Sequence, residues 1–179
     1  MKILNQYRIP FTGLKLGKHD FEFEVNKLFF EEFEYSIVKN GDLKISVILD
    51  KQESMMTANF HITGTIELTC DVCLSQFLKE TDIKERLIVK FDEENDLSDL
   101  TDEILVLKRN EHELDLASTI YEYINLSVPY YSRCDEQGKN TSCDKVMVDK
   151  LKSLTDQKEE EEQENTDPRW DILKNIKNN

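Results

Sequence analysis

The strongest constraint on the fold of this chain is a long alternation of apolar and polar side chains between residues 56 and 70. Successive side chains of a strand point to opposite faces, so a period of two predicts a strand with one buried face. Gly64 interrupts the alternation, which predicts a bulge or a sharp bend within one long strand. The apolar side of this strand consists of Met56, Ala58, Phe60, Ile62, Ile66, Leu68 and Cys70.

Shorter stretches with the same period occur at residues 20–25, 43–49 and 87–91, and residues 104–107 are compatible with one more strand. An Asn-Gly-Asp turn at residues 40–42 precedes the second stretch. Several such strands separated by turn residues predict an antiparallel sheet with one buried face. The side chains predicted to lie on that face are Phe21, Phe23, Val25, Leu43, Ile45, Val47, Leu49, Leu87, Val89 and Phe91.

Two stretches favour helices. Leu28, Phe29 and Phe33 can share one face of a short helix that would plug the open end of a curved sheet. A second helix is predicted after Asp115, a suitable N-cap, and before Pro129. Together the elements predict an α+β domain with a curved or barrel-like, mainly antiparallel sheet and one or two packed helices. The apolar residues of the second helix recur at three- and four-residue spacing and are Leu116, Ile120, Tyr121 and Ile124.

The 179 residues suffice for one well-buried core, and the composition changes abruptly after residue 154. We therefore predict a single domain over residues 1–154. Residues 155–166 are nearly all Asp, Glu, Gln, Lys and Asn, and their self-repulsion and lack of apolar side chains predict a flexible acidic linker. Residues 167–179 are predicted to form a short amphipathic C-terminal helix that this linker tethers to the domain.

The tethered helix has clear start signals, because Asp167 is a suitable N-cap and Pro168 suits the first helical position. A helix this short is marginal alone and should order only when it docks. The lone tryptophan at position 170 therefore needs a surface, either on its own domain or on a partner. The residues predicted to bind a partner are Asp167, Pro168, Arg169, Trp170, Leu173 and Ile176.

The chain has four cysteines whose spacing suggests metal ligation. Cys70 and Cys73 form a C-x-x-C pair, and this spacing lets both sulfurs of a tight turn bind one tetrahedral ion. Cys134 and Cys143 could complete a four-sulfur site that holds one structural zinc. Two alternatives stay open: unliganded thiols, and a zinc- or thiol-dependent redox protein that uses the C-x-x-C pair. A redox dithiol usually opens a helix of a βαβ unit, which the strand-rich context does not resemble.

No other pattern indicates an active site. The sequence has no Ser/His/Asp motif and no H-E-x-x-H pair, and 5 glycines are too few to favour a phosphate-binding loop. His19, His61 and His112 lie at polar or turn positions, where histidines are usually surface residues. We therefore predict a protein that is not an enzyme and has no small-molecule substrate.

The net charge of the chain favours some kinds of binding partner over others. The net charge of −14 repels a phosphate backbone, so it disfavours broad nucleic-acid binding and suits a basic protein partner. No apolar run approaches the ~20 residues that cross a bilayer, and the first residues do not form a secretory signal. These features predict a cytoplasmic protein with no membrane partner.

Five motifs, in this order along the chain, carry a resemblance to a known family: Tyr7-Arg8-Ile9-Pro10-Phe11-Thr12-Gly13-Leu14, Leu68-Thr69-Cys70-Asp71-Val72-Cys73-Leu74, Glu113-Leu114-Asp115-Leu116, Leu126-Ser127-Val128-Pro129 and Asp167-Pro168-Arg169-Trp170. They resemble the YceD family of large ribosomal RNA subunit accumulation proteins. The resemblance implies a non-catalytic role in accumulation or processing of that RNA and in ribosome assembly. Together with the acidic charge and the amphipathic tail, it predicts a large-subunit ribosomal protein or precursor rRNA as partner. It also places the family's C-x-x-C at Cys70 and Cys73, and its later cysteine segment at Cys134 and Cys143.

Overall fold

The computed structural model describes residues 3–92, 104–108, 110–139 and 141–164, with backbone alone at Asp92 and at residues 155–164. A short 3-10 helix, Leu4–Tyr7, precedes the first strand. The remaining elements, in chain order, are β1 (Arg8–Pro10), β2 (Gly17–Val25), α1 (Lys27–Glu31), β3 (Gly41–Lys51), β4 (Met55–Thr69), β5 (Gln76–Asp92), β6 (Ile104–Lys108), β7 (Glu113–Asp115), α2 (Ala117–Leu126), α3 (Cys134–Gln137) and α4 (Lys145–Glu164).

The main sheet has five strands in the order β2-β3-β4-β5-β6. Neighbouring strands from β2 to β5 pair antiparallel, whereas β6 pairs parallel with β5. The α+β class and the mainly antiparallel sheet are therefore confirmed. The sheet is open, with β2 at one edge and β6 at the other, so the predicted barrel-like closure is not confirmed.

The central strands bury one face of the sheet, as the alternation predicted, whereas Phe21 and Phe23 of the edge strand β2 are only partly buried. Ile45 of β3 lies opposite Ile62 of β4, and both are fully buried. Each such side chain removed from water contributes roughly 1.5–3 kcal/mol to folding. The residues of β3 and β4 that form this face are Leu43, Ile45, Val47, Leu49, Met56, Ala58, Phe60, Ile62, Ile66 and Leu68.

Aromatic contacts hold the smaller elements against this core. Tyr7 packs edge-on against Phe29 of α1 with ring centroids 4.9 Å apart. Tyr123 of α2 packs against Phe60 of β4 at 5.3 Å. The short strands β1 and β7 pair antiparallel, and this pairing places the buried Leu114 opposite a buried isoleucine of β1.

Gly64 lies inside a continuous β4, where it pairs in register with Leu43 on one side and Thr81 on the other. No residue is inserted at this point, so the bulge alternative is wrong. Gly64 has φ +144, and a Cβ there would clash with the carbonyl oxygen of Asp42. Close approach of β3 therefore explains why glycine occupies this position.

The two predicted helices are present, with differences in their details. In α1 the Asn26 side chain accepts a hydrogen bond from the Leu28 N–H at 3.0 Å. This cap fixes where the helix begins, and so it sets the phase, that is, which residues face the core. The phase buries Phe29 and Phe30 and leaves Leu28 exposed, so the prediction that Leu28 faces the core is wrong. In α2 the predicted core positions Ile120 and Ile124 are fully buried.

The long helix α4 was not predicted. Its backbone continues through residues 155–164, where the composition predicts a flexible linker. Glu, Gln and Lys have high helix propensity, which explains how a segment without apolar side chains can adopt this backbone. The predicted helix at residues 167–179 lies outside the described residues. Of the helices in the described part of the chain, none is both long and apolar enough to cross a membrane.

Candidate metal centre

The C-x-x-C pair occupies the turn between β4 and β5. The Cys70 N–H donates to the Ser75 carbonyl and the Leu74 N–H donates to the Cys70 carbonyl, both at 2.9 Å. Leu74 has φ 60, a left-handed conformation that tightens the turn. This compact loop directs the sulfurs of Cys70 and Cys73 toward each other, as the spacing predicted.

Two reciprocal hydrogen bonds attach the segment before α3 to this turn. The Asp71 N–H donates to the Ser132 carbonyl at 2.8 Å, and the Ser132 N–H donates to the Asp71 carboxylate at 2.6 Å. They place Cys134, the first residue of α3, beside the C-x-x-C pair. The Thr141 hydroxyl then donates to the Cys134 carbonyl at 2.5 Å, which turns the chain back and brings Cys143 to the same place.

All four sulfur atoms lie within 4.8 Å of one another. The Sγ–Sγ distances are 3.9 Å for Cys70–Cys143, 3.6 Å for Cys73–Cys134 and 3.5 Å for Cys134–Cys143. Zinc–sulfur bonds of about 2.3 Å in a tetrahedron require sulfur–sulfur separations of roughly 3.8 Å. The four sulfurs therefore have the spacing that a tetrahedral metal ion needs.

Hydrogen bonds favour the thiolate form within the C-x-x-C pair. The backbone N–H of Asp144, together with the Ser75 hydroxyl and N–H, lowers the pKa of Cys73 to about 6. Burial disfavours the Cys70 thiolate, but N–H groups of the surrounding backbone outweigh it and lower the pKa of Cys70. One of them is the Cys134 N–H, which donates to the Cys70 sulfur at 3.5 Å.

The other two cysteines behave in the opposite way, because burial raises the pKa of both Cys134 and Cys143. A metal ion binds thiolates, so it must displace the protons that these two sulfurs retain. The cluster thus combines two sulfurs that ionise readily with two that would lose their protons to a cation.

The donor set resembles a closed structural site. Cys70, Cys73 and Cys134 are buried, and Cys143 is partly exposed. Four protein sulfurs fill a tetrahedron and leave no position for water or substrate, which is the arrangement of structural rather than catalytic zinc. The C-x-x-C pair lies in a strand-to-strand turn and not at the start of a helix, unlike the usual redox dithiol.

The remaining residues singled out from the sequence do not join this centre. His61 contacts Asp82 at 3.0 Å on the exposed face of the sheet. His112 lies 3.3 Å from the Thr12 hydroxyl, and His19 lies within hydrogen-bond distance of a nearby backbone carbonyl. The predicted partner-binding residues Asp167, Pro168, Arg169, Trp170, Leu173 and Ile176 lie outside the described residues.

Sequence reasoning missed a cleft of about 490 Å³ beside the metal centre. Ile37 and Tyr130 contribute its apolar side, and both are largely exposed. Asp71, the residue that joins the turn to α3, lines the same cleft. In the sequence, the adjacent Tyr130 and Tyr131 after α2 were the available signal for this cleft. Without the tertiary contacts, such an aromatic pair indicates only a position in the core or at its rim.

A family model provides the deciding comparison. The model described as "Large ribosomal RNA subunit accumulation protein YceD" matches residues 58–177, which is most of the chain. The chain belongs to the YceD family. The YceD match includes all four cysteines, whereas the motif at residues 7–14 lies outside it. Comparison with curated proteins and with solved structures gave no significant match.

Proposed function

We propose that this YceD protein is a non-catalytic, cytoplasmic factor for accumulation or processing of large-subunit ribosomal RNA. It acts in ribosome assembly by binding a large-subunit ribosomal protein or precursor rRNA, and it has no membrane partner or small-molecule substrate. The observation that carries the proposal is the family match across most of the chain. The closed four-sulfur arrangement supports it, because such sites stabilise folds rather than transform substrates.

In this proposal the sulfurs of Cys70, Cys73, Cys134 and Cys143 hold one structural zinc ion. Zinc would supply the cross-link between the turn after β4, the start of α3 and the segment before α4. These parts are far apart in sequence, so holding them together offsets the entropy of closing the intervening chain. The ion thereby fixes the origin of α4 on the domain.

Charge favours a basic protein as the direct partner. The net charge of −14 opposes contact with RNA phosphates, whereas basic ribosomal proteins complement it. A second contact on the same chain would raise the local concentration of the first, so each contact can be weak. Trp170 and its apolar neighbours provide that second contact in this proposal.

Chain length supports docking of Trp170 on a partner rather than at the metal centre. The 20 residues of α4 span about 30 Å at 1.5 Å per residue. The six residues from Glu164 to Trp170 can span at most roughly 21 Å when fully extended. The Cα of Trp170 therefore falls short of the start of α4 while this helix is intact.

Affinity purification of the tagged protein tests the proposal. We expect the intact chain to recover large-subunit precursor particles, and a chain truncated after Thr166 to recover at least tenfold less. A chain truncated after Lys177 is the matched control, because it removes two C-terminal asparagines and keeps Trp170. Equal recovery by all three chains would contradict the role of the tail, and recovery by none would contradict ribosomal association.

A further inference from the structure

The edge strand β2 offers unpaired backbone groups to solvent. Its nine residues, Gly17–Val25, pair with β3 along one side, and within the described part of the chain no strand pairs with the other side. An edge strand carries a row of N–H and C=O groups that can pair with an added strand. The Tyr7 hydroxyl donates to the Glu24 carbonyl at 2.7 Å, so the accessible stretch ends before Glu24.

The side chains of this edge have a regular chemistry. On the solvent face, Lys18, Asp20, Glu22 and Glu24 alternate along the strand and are all exposed, so three acidic side chains follow one basic side chain. Among described residues, none of these three carboxylates has an ion-pair partner. On the opposite face, Phe21 and Phe23 are only partly buried, whereas side chains of the central strands are fully covered.

A cleft of about 500 Å³ lies next to this edge on the solvent face of the sheet. Glu22 and Glu24 line it from β2, and Lys44, Ser46 and His61 line it from the central strands. Long side chains of an added strand can therefore extend over the sheet surface as well as pair with the acids of the edge.

We propose that the β2 edge binds an extended basic segment of a protein, which adds to the sheet as a further strand. Alternate lysine or arginine side chains lie opposite Asp20 and Glu22, and the intervening apolar side chains cover Phe21 and Phe23. Opposite charges directly across two strands stabilise the pairing. The inference rests on the proposed function, since it gives the basic partner a docking site and a conformation.

Charge disfavours the other occupants of an exposed edge. A second copy of this chain pairing through β2 would place the acidic side chains of both copies against one another, and like charges across strands are destabilising. A nucleic acid would bring phosphates to the same acidic side chains and has no peptide groups with which to extend the sheet. The three acids on this face thus disfavour self-association and favour a basic strand as the partner.

The test uses the full-length protein and a soluble, N-acetylated eight-residue peptide that alternates lysine and valine. Two backbone N-methylated isomers serve as probes, one methylated at the lysines and one at the valines. An added strand directs the N–H groups of alternate residues toward the protein, so we expect one isomer to bind at least tenfold more weakly than the other. Equal affinities would overturn the proposal, because simple charge attraction does not distinguish the isomers.

A charge-reversed variant, Asp20→Lys/Glu22→Lys/Glu24→Lys, should bind the unmethylated peptide at least tenfold more weakly than wild type. The matched control Glu53→Lys/Glu122→Lys/Asp149→Lys changes net charge equally at exposed positions away from β2, and its affinity should fall less than threefold. Equal losses in both variants would overturn the proposal. Should the first variant fail to fold, the single change Glu22→Lys replaces it with the same criterion.

Amide hydrogen exchange locates the peptide. We expect slower exchange within residues 18–23 when the peptide is bound, and protection elsewhere without protection of β2 would contradict strand addition. No ribosomal component enters these measurements, so their failure would leave the affinity-purification test of the proposed function unaffected.

Discussion

The sulfur atoms of Cys134 and Cys143 lie 3.5 Å apart, although one belongs to α3 and the other to the segment that leads into α4. Cys134 is also 3.6 Å from Cys73 in the turn after β4. Cys134 therefore lies between the turn after β4 and the segment that leads into α4. Loss of this one thiol should affect both metal binding and the attachment of α4.

Replacement of the central thiol tests the metal site. We expect wild type to contain about one zinc ion per chain and Cys134→Ser to contain almost none, by elemental analysis. The free energy of unfolding should fall by at least about 3 kcal/mol, a fraction of the roughly 10–16 kcal/mol with which structural sites bind zinc. Ser142→Ala, next to Cys143, is the control and should keep full zinc. Full zinc in Cys134→Ser would contradict the site.

Thiol reactivity distinguishes structural zinc from redox chemistry. Cys70→Ser/Cys73→Ser should lose zinc and stability together, because both sulfurs belong to the four-sulfur cluster. Zinc content, thermal unfolding and disulfide-reducing activity provide the measurements. A variant that stays fully stable but loses a reducing activity present in wild type would instead support the redox alternative.

Metal removal should loosen α4 more than the sheet. The side chains of residues 149–154 are exposed, and Met147 and Val148 are partly buried near the start of the helix. Packing alone therefore holds α4 weakly. We expect a chelator to speed amide exchange in residues 141–154 at least tenfold while β3 and β4 change less than twofold. Equal changes in both regions would contradict a local role for the metal.

A substitution at Gly64 tests whether the close approach of β3 requires glycine at this position of β4. Gly64→Ala should lower the free energy of unfolding by about 3 kcal/mol, because its φ of +144 strains an alanine and the added Cβ meets the Asp42 carbonyl. Gly13→Ala is the control, since nothing lies within 4 Å of a Cβ at that position. Chemical denaturation measures both variants, and equal stability of the two would contradict the account.

The ion pair between Glu80 and Lys139 gives a pH-dependent prediction. Their side chains meet at 2.6 Å, and the hydrogen bond and charge of Lys139 lower the pKa of Glu80. A lowered carboxyl pKa contributes stability above its ordinary value, and this contribution is lost as pH falls through the lowered value. Carboxyl NMR titration of Lys139→Gln should therefore show a higher Glu80 pKa than wild type. An unchanged pKa would show that the pair does not form in solution.

The same sign applies to stability. At neutral pH the free energy of unfolding of wild type should be modestly higher than that of Glu80→Gln. This difference should shrink as the pH falls through the lowered pKa of Glu80. Both side chains are largely exposed, so solvent screening keeps the effect small. A difference that grows on acidification would contradict the assignment.

Alternation was sufficient to predict the strands because one-sided burial imposes a period of two. Leu43 and Leu49 at the ends of one such stretch are both fully buried, as predicted. The sequence could not predict whether neighbouring strands pair parallel or antiparallel. The strand β6 pairs parallel with β5, but its residues carry no signal of strand direction. Likewise, the spacing of apolar residues could not predict whether Leu28 or Phe30 faces the core from α1. The Asn26 cap fixes where the helix begins and therefore which of its residues point inward.

The candidate site was predictable only in part. The C-x-x-C spacing is local, so it predicted that Cys70 and Cys73 would lie together. The approach of Cys143 depends on a hydrogen bond from Thr141 to the Cys134 carbonyl, and that of Cys134 on the pairing of Asp71 with the segment before α3. Such contacts between distant segments arise from tertiary structure and leave no periodic signal in the sequence.

The proposed role in accumulation of large-subunit rRNA is tested by the ratio of large-subunit to small-subunit rRNA in cells depleted of this protein. Re-expression of wild type and of Cys134→Ser in the depleted cells relates the ratio to the metal centre. We predict that the ratio falls on depletion, recovers with wild type and recovers poorly with Cys134→Ser. An unchanged ratio, together with unchanged subunit profiles, would contradict the account.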